Sequence, residues 1–117
     1  MNNVNAIRAA IANLQIKKND GVSLVASITD PNNNDLPLDL SLFSIIRMQV
    51  KRSVNDADSL VELSLGSGLT VEGLGVLRIV LSPTDTGLAA SKYVYDVQGD
   101  DITILEGDFI IVGDVTT

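Results

Sequence analysis

The sequence contains no cysteine and no histidine. Disulfides and thiolate metal sites are thereby excluded, and the absence of thiols suits synthesis in a reducing cytosol. The common nucleophile–base pairs and most transition-metal sites also have no residues to build them. Aromatic side chains number four, at Phe43, Tyr93, Tyr95 and Phe109. That is too few for a base-stacking platform or an aromatic sugar-binding cleft. Positive charge is scarce: eight Lys and Arg stand against fifteen Asp and Glu, a net charge of −7. Such a surface repels phosphate backbones, so no nucleic-acid partner is expected. No apolar run approaches bilayer length, and the first residues lack the pattern of a signal peptide, so neither a membrane partner nor export is expected.

What is present suits one folded domain. The chain has 117 residues, and its 45% hydrophobic content is enough for a single core and excludes a disordered chain. Residues 1–13 differ from the rest. Val4, Ile7, Ile11 and Leu14 recur at spacings of three, four and three, with alanines between them and Asn3 or Asn5 as a candidate N-cap. The spacing predicts a short N-terminal helical arm, which is marginal alone in water and needs a surface for its stripe. That surface is either the arm's own domain or a neighbouring subunit. Val4, Ile7, Ile11 and Leu14 are the candidate partner-binding residues.

Residues 14–117 read as strands separated by turns. Leu14–Lys18 leads into Asn19-Asp20-Gly21, a hairpin signal. Val22, Leu24, Ala26 and Ile28 share one face of the next run, and Ile46, Met48 and Val50 share one face of a longer strand at 43–52. Leu60–Leu65, a short Leu69–Val71 segment and Val76–Leu81 follow, with Leu77, Ile79 and Leu81 inward. The stretch Ser82-Pro-Thr-Asp-Thr-Gly87 is a turn-rich corner feeding Lys92–Val97, where Tyr93, Tyr95 and Val97 alternate with Lys92, Val94 and Asp96. A corner of this kind delivers a buried tyrosine in immunoglobulin-like sandwiches. A last strand or strand pair covers Ile102–Val112. Seven or eight short strands at regular spacing predict an all-β fold, an immunoglobulin-like antiparallel β-sandwich. Tyr93, Tyr95 and Phe109 are assigned to its core.

Reactive constellations are not apparent. Gly66-Ser-Gly68 and Gly73-Leu-Gly75 lack the following helix that phosphate binding needs. The acidic pairs Asp30/Asp35, Asp56/Asp58 and Asp100/Asp101 lie in turns, where aspartate serves local hydrogen bonding before it serves calcium or acid–base work. The basic pairs Lys17-Lys18 and Lys51-Arg52 read as a solvated rim, or as contacts to an acidic patch of another copy. Phe109-Ile-Ile-Val112 is apolar on both faces and needs cover from the arm, a loop or a neighbour. No catalytic residue, metal or cofactor is expected, and the protein is not expected to be an enzyme.

The ordered series Leu14-Gln-Ile-Lys-Lys-Asn-Asp-Gly-Val-Ser-Leu24, Leu36-Pro-Leu-Asp-Leu40 and Ile46-Arg-Met-Gln-Val-Lys-Arg-Ser53 resembles small structural modules of tailed bacteriophages. It continues through Leu60-Val-Glu-Leu-Ser64, Leu69-Thr-Val-Glu-Gly-Leu-Gly-Val-Leu-Arg-Ile-Val-Leu-Ser82, Thr84-Asp-Thr-Gly-Leu88, Tyr93-Val-Tyr-Asp-Val97 and Leu105-Glu-Gly-Asp-Phe-Ile-Ile-Val-Gly-Asp-Val-Thr116. These modules are similar to the immunoglobulin-like N-terminal domain of phage baseplate upper proteins. The resemblance covers roughly residues 14–117, and the helical arm is an addition to its pattern. It implies a virion structural protein, made in the host cytoplasm, that binds other phage structural proteins in several symmetric copies. Tail, baseplate or fibre attachment is the first placement it implies; capsid decoration, head fibre or neck is the second. A host-surface glycan-binding or adhesion module is a competing class, which requires exposed aromatics or a calcium site.

Overall fold

In a computed structural model, the described residues are 10–30, 34 and 36–113. They form eleven strands: β1 (Ala10–Ile11), β2 (Leu14–Lys17), β3 (Val22–Ser27), β4 (Thr29–Asp30), β5 (Leu36–Pro37), β6 (Ile46–Lys51), β7 (Val61–Leu65), β8 (Gly68–Gly73), β9 (Val76–Leu81), β10 (Ser91–Gly99) and β11 (Ile102–Val112). A 3-10 turn at Leu40–Leu42 precedes β6, with the Asp39 side chain accepting from the Ser41 N–H at its start.

Hydrogen bonding runs β11–β10–β6–β7 in one layer, with β1 and β2 both on the outer edge of β11, and β8–β9–β3 in the other. The layers join at a tight corner, where Ser64 and Leu65 of β7 pair with Gly68 and Leu69 of β8. Gly68 sits there at φ +102°, a left-handed conformation open to glycine and strained for other residues. Strands β4 and β5 pair separately. With β11–β10–β6–β7 in one layer and β8–β9–β3 in the other, the strand order fits an immunoglobulin-like sandwich.

Alternation places the core as the sequence indicates. Ile46, Met48 and Val50 of β6 and Tyr93, Tyr95 and Val97 of β10 are buried, as are Phe109 and Ile111 of β11. Leu77, Ile79 and Leu81 of β9 are buried in the facing layer, and Leu14, Val22, Leu24 and Ala26 pack against the same cluster. The corner before β10 is built as its residues suggest: the Ser82 N–H donates to Asp85 Oδ2, and the Asp85 N–H donates back to Ser82 Oγ. The Tyr93 hydroxyl donates to the Ala89 carbonyl at 2.6 Å, closing the tyrosine corner.

Two expectations are corrected. The helical arm is not seen: residues 1–9 lie outside the described residues, and of the part that is described, Ala10 and Ile11 are strand while Ala12 and Asn13 have no regular structure. Ala10 and Ile11 pair in parallel with Leu105 and Glu106. The Ala12 N–H donates to the Glu106 carbonyl at 2.9 Å, and Leu14 to Lys17 pair with Phe109 to Val112. The reason is the eleven-residue β11, whose second edge needs partners for its backbone groups. Ladder bonding satisfies that edge, which a short helix would leave open. Secondly, Asn19-Asp20-Gly21 does not close a hairpin. It carries the chain from one layer to the other, because β2 pairs with β11 while β3 pairs with β9. Asn19 adopts φ +68°, as its residue type permits, and the buried Thr86 hydroxyl donates to the Asp20 carbonyl at 2.8 Å, fixing the turn.

Candidate interaction site at the open edge

The side chains of chemical interest are occupied with structure. Asp100, at φ +53°, accepts from the Ser44 and Ile45 N–H groups at 3.0 Å each. Lys18 Nζ donates to the carbonyls of Gly87 and Leu88 at 3.1 and 3.0 Å, so one member of the first basic pair ties a loop to β2. Arg78 grips both carboxylate oxygens of Glu72. The hydrogen bond and the guanidinium charge hold the Glu72 carboxyl below its ordinary pKa, and the same bond raises that of Arg78. Asp96, opposite Glu106 on one side and Gln49 on the other, has one carboxylate oxygen buried without a hydrogen-bond partner. Among the described residues no three acidic side chains are grouped to hold a metal ion.

Among the described residues the sandwich opens at the edge formed by β1, β2 and β3. A cleft of about 310 Å³ lies there between the layers, lined by Ile11, Leu14, Leu24, Ala26, Tyr95 and Leu105 among others. Tyr95 is one of its lining residues. Its ring meets Phe109 edge-on, with centroids 6.4 Å apart and planes at 66°. The hydroxyl donates to the Ala12 carbonyl at 2.6 Å. Burial, with the Glu106 charge adding to it, pushes the Tyr95 phenol up to about 12. Opposite Tyr95 in the ladder stands Gly107. Any Cβ there would lie 2.1 Å from the Ala12 carbonyl oxygen, so only glycine lets β1 approach. Between β1 and β2 the register with β11 is unchanged, and the Asn13 side chain accepts the Asp108 N–H at 2.9 Å in place of a ladder bond.

Of the four residues proposed from sequence for partner contact, Val4 and Ile7 lie outside the described residues. Ile11 and Leu14 come together on the rim of this one cleft. Ile11 is 77% exposed, whereas Leu14 is partly buried against the core. Ile11 also borders a second, shallow depression on the outer face of β10 and β11, beside the exposed Val54. The residues that helical spacing could not find are those of β3, where Val25 is 53% exposed. The signal available was a six-residue strand pattern, Val-Ser-Leu-Val-Ala-Ser, with no charge.

No family model matches the chain, and no curated protein matches it. Among solved structures, it is similar to an extracellular domain of the voltage-gated sodium channel beta4 subunit. That domain was solved as parallel homodimers said to explain its role in cell–cell adhesion. The identity is 9% over 92% of this chain and 96% of the other, with a TM-score of 0.39. Among the described residues no helix is long and apolar enough to cross a membrane.

Proposed function

We propose that the protein is a non-enzymatic structural component of a tailed-bacteriophage particle. It binds other virion proteins at tail, baseplate or fibre attachment, in several symmetric copies. The observation that carries this reading is the exposed Ile11 on the rim of an apolar cleft, held there by a built clamp of Tyr95, Gly107 and Asn13. Ile11, 77% exposed, stands between the cleft and the hollow beside Val54, and together they make an apolar surface suited to attachment. The ordered phage-like motifs add support, since from Leu14 onward they fall on successive strands and the turns between them. The competing glycan-binding class calls for exposed aromatic faces, yet Tyr93, Tyr95 and Phe109 are buried and Phe43 packs partly buried against the core.

The test is incorporation of Ile11→Thr into assembled particles, quantified by mass spectrometry of purified virions. The expected result is a stoichiometric wild-type chain and a strongly depleted variant of unchanged solubility. Absence of the wild-type chain from the particle, or normal occupancy of the variant, overturns the reading.

A further inference from the structure

Among the described residues, β3 pairs with β9 on one side and with nothing on the other. Natural edge strands are guarded by lysine, proline, bulges or brevity. The opposite edge, at β2, carries Lys17 and the adjoining Lys18. Strand β3 carries none of these guards over six residues, and its register with β9 runs without a shift. The bonding phase is fixed by the Ile28 N–H, which donates to the Gly75 carbonyl at 2.7 Å. In an antiparallel ladder bonding alternates, so Ala26, Leu24 and Val22 share that phase and bond toward β9. The backbone groups of Ser23, Val25 and Ser27 therefore face outward.

We propose that this edge binds β3 of a second copy, antiparallel about a two-fold axis through Val25. Only pairings of odd residues with odd residues bring outward donors to outward acceptors. Of these registers, the one centred on Val25 engages all three outward residues: Val25 opposes its own counterpart, and Ser23 opposes Ser27 in both directions. Small hydroxyl side chains flank the axis, and no charge meets a like charge within the strand. Arg78 on β9 reaches across to donate to the Ser23 hydroxyl at 2.6 Å, so each copy brings one guanidinium toward the seam, and Glu72 pairs with it. At the strand ends the register sets Asp20 against Asp30, so the ladder stops where β3 stops. Continued pairing would join the two three-stranded layers into one six-stranded sheet and cover the cleft mouth at Leu24 and Ala26. This dimer does not depend on the phage reading.

The experiment is sedimentation velocity of the full chain over a concentration series, paired with amide hydrogen exchange. Val25→Pro removes an outward N–H while leaving the bonds to β9 intact; Val25→Lys is the second variant, should the proline variant not fold. The expected wild-type result is a dimer with protected amides at Ser23, Val25 and Ser27. The variant that folds should be monomeric, with Ser23 and Ser27 exchanging freely. A wild-type monomer at every soluble concentration overturns the proposal; protected edge amides in that monomer would assign the edge to another segment of the same chain. A dimer that persists in the folded variant also overturns it, because the contact then lies elsewhere.

Discussion

Two tyrosine hydroxyls, two strand positions apart on β10, hold different parts of the molecule. Tyr93 closes its own corner through Ala89, while Tyr95 reaches the Ala12 carbonyl, 83 residues distant in sequence. Each bond is one neutral hydrogen bond in a buried setting, so Tyr93→Phe is expected to lower unfolding free energy by ~1 kcal/mol in denaturant titration. Tyr95→Phe should lower it by a similar amount, and it has a second consequence. The Tyr95 phenol is raised to about 12 in the folded chain, against about 10 for an unfolded tyrosine. A raised folded-state pKa gives stability that is complete below pH 10 and is lost as pH climbs toward 12, because the unfolded chain releases its proton first. Wild-type protein should therefore destabilise between pH 10 and 12 more steeply than Tyr95→Phe, read as denaturation midpoint against pH.

At the scale of the strand, the telling contact is β1 on β11. Gly107→Ala would drive a methyl group into the Ala12 carbonyl, an atom of backbone that has no rotamer to yield. The expected cost is about 1–3 kcal/mol, with amide exchange loosening first at Ala12 and Asp108, checked by native-state exchange. The inward alternation of β6, β9 and β10 is legible in the sequence because it is local, a period of two within a few residues. The corner tyrosine is legible for the same reason: Ser82, Pro83 and Asp85 act within one turn. Strand β1 was hidden because Ile11 and Leu14 are three apart, which fits a helix. In the fold that interval is a short break between two strands in one continuous register, imposed by the unpaired edge of a strand some ninety residues later. The Asn19-Asp20-Gly21 turn misleads likewise: turn chemistry is local, but the partner of each flanking strand is not. The cleft inherits both difficulties, since its walls come from β1, β2, β3, β9, β10 and β11.

For the whole molecule, the entangling of attachment surface and fold decides how assembly can be tested. A chain beginning at Ala10 keeps β1, the Ala12 carbonyl and Asn13; one beginning at Leu14 has lost all three. The shorter chain forfeits the bonds Ala12 N–H to Glu106, Tyr95 hydroxyl to Ala12 and Asp108 N–H to Asn13. At about 1 kcal/mol each, that is roughly 3 kcal/mol, a large part of the margin by which a domain of this size stays folded. The chain beginning at Leu14 should thus melt well below the one beginning at Ala10 in calorimetry, and equal melting temperatures would show that the clamp contributes nothing. If the gap is as large as expected, failure of the shorter chain to enter particles reports unfolding as much as lost contact. Ile11→Thr separates the two effects: it removes the apolar surface, places no charge beside Glu106, and leaves the carbonyl that Tyr95 holds and the Asn13 bond to Asp108 untouched. Its melting temperature should match wild type while its occupancy falls.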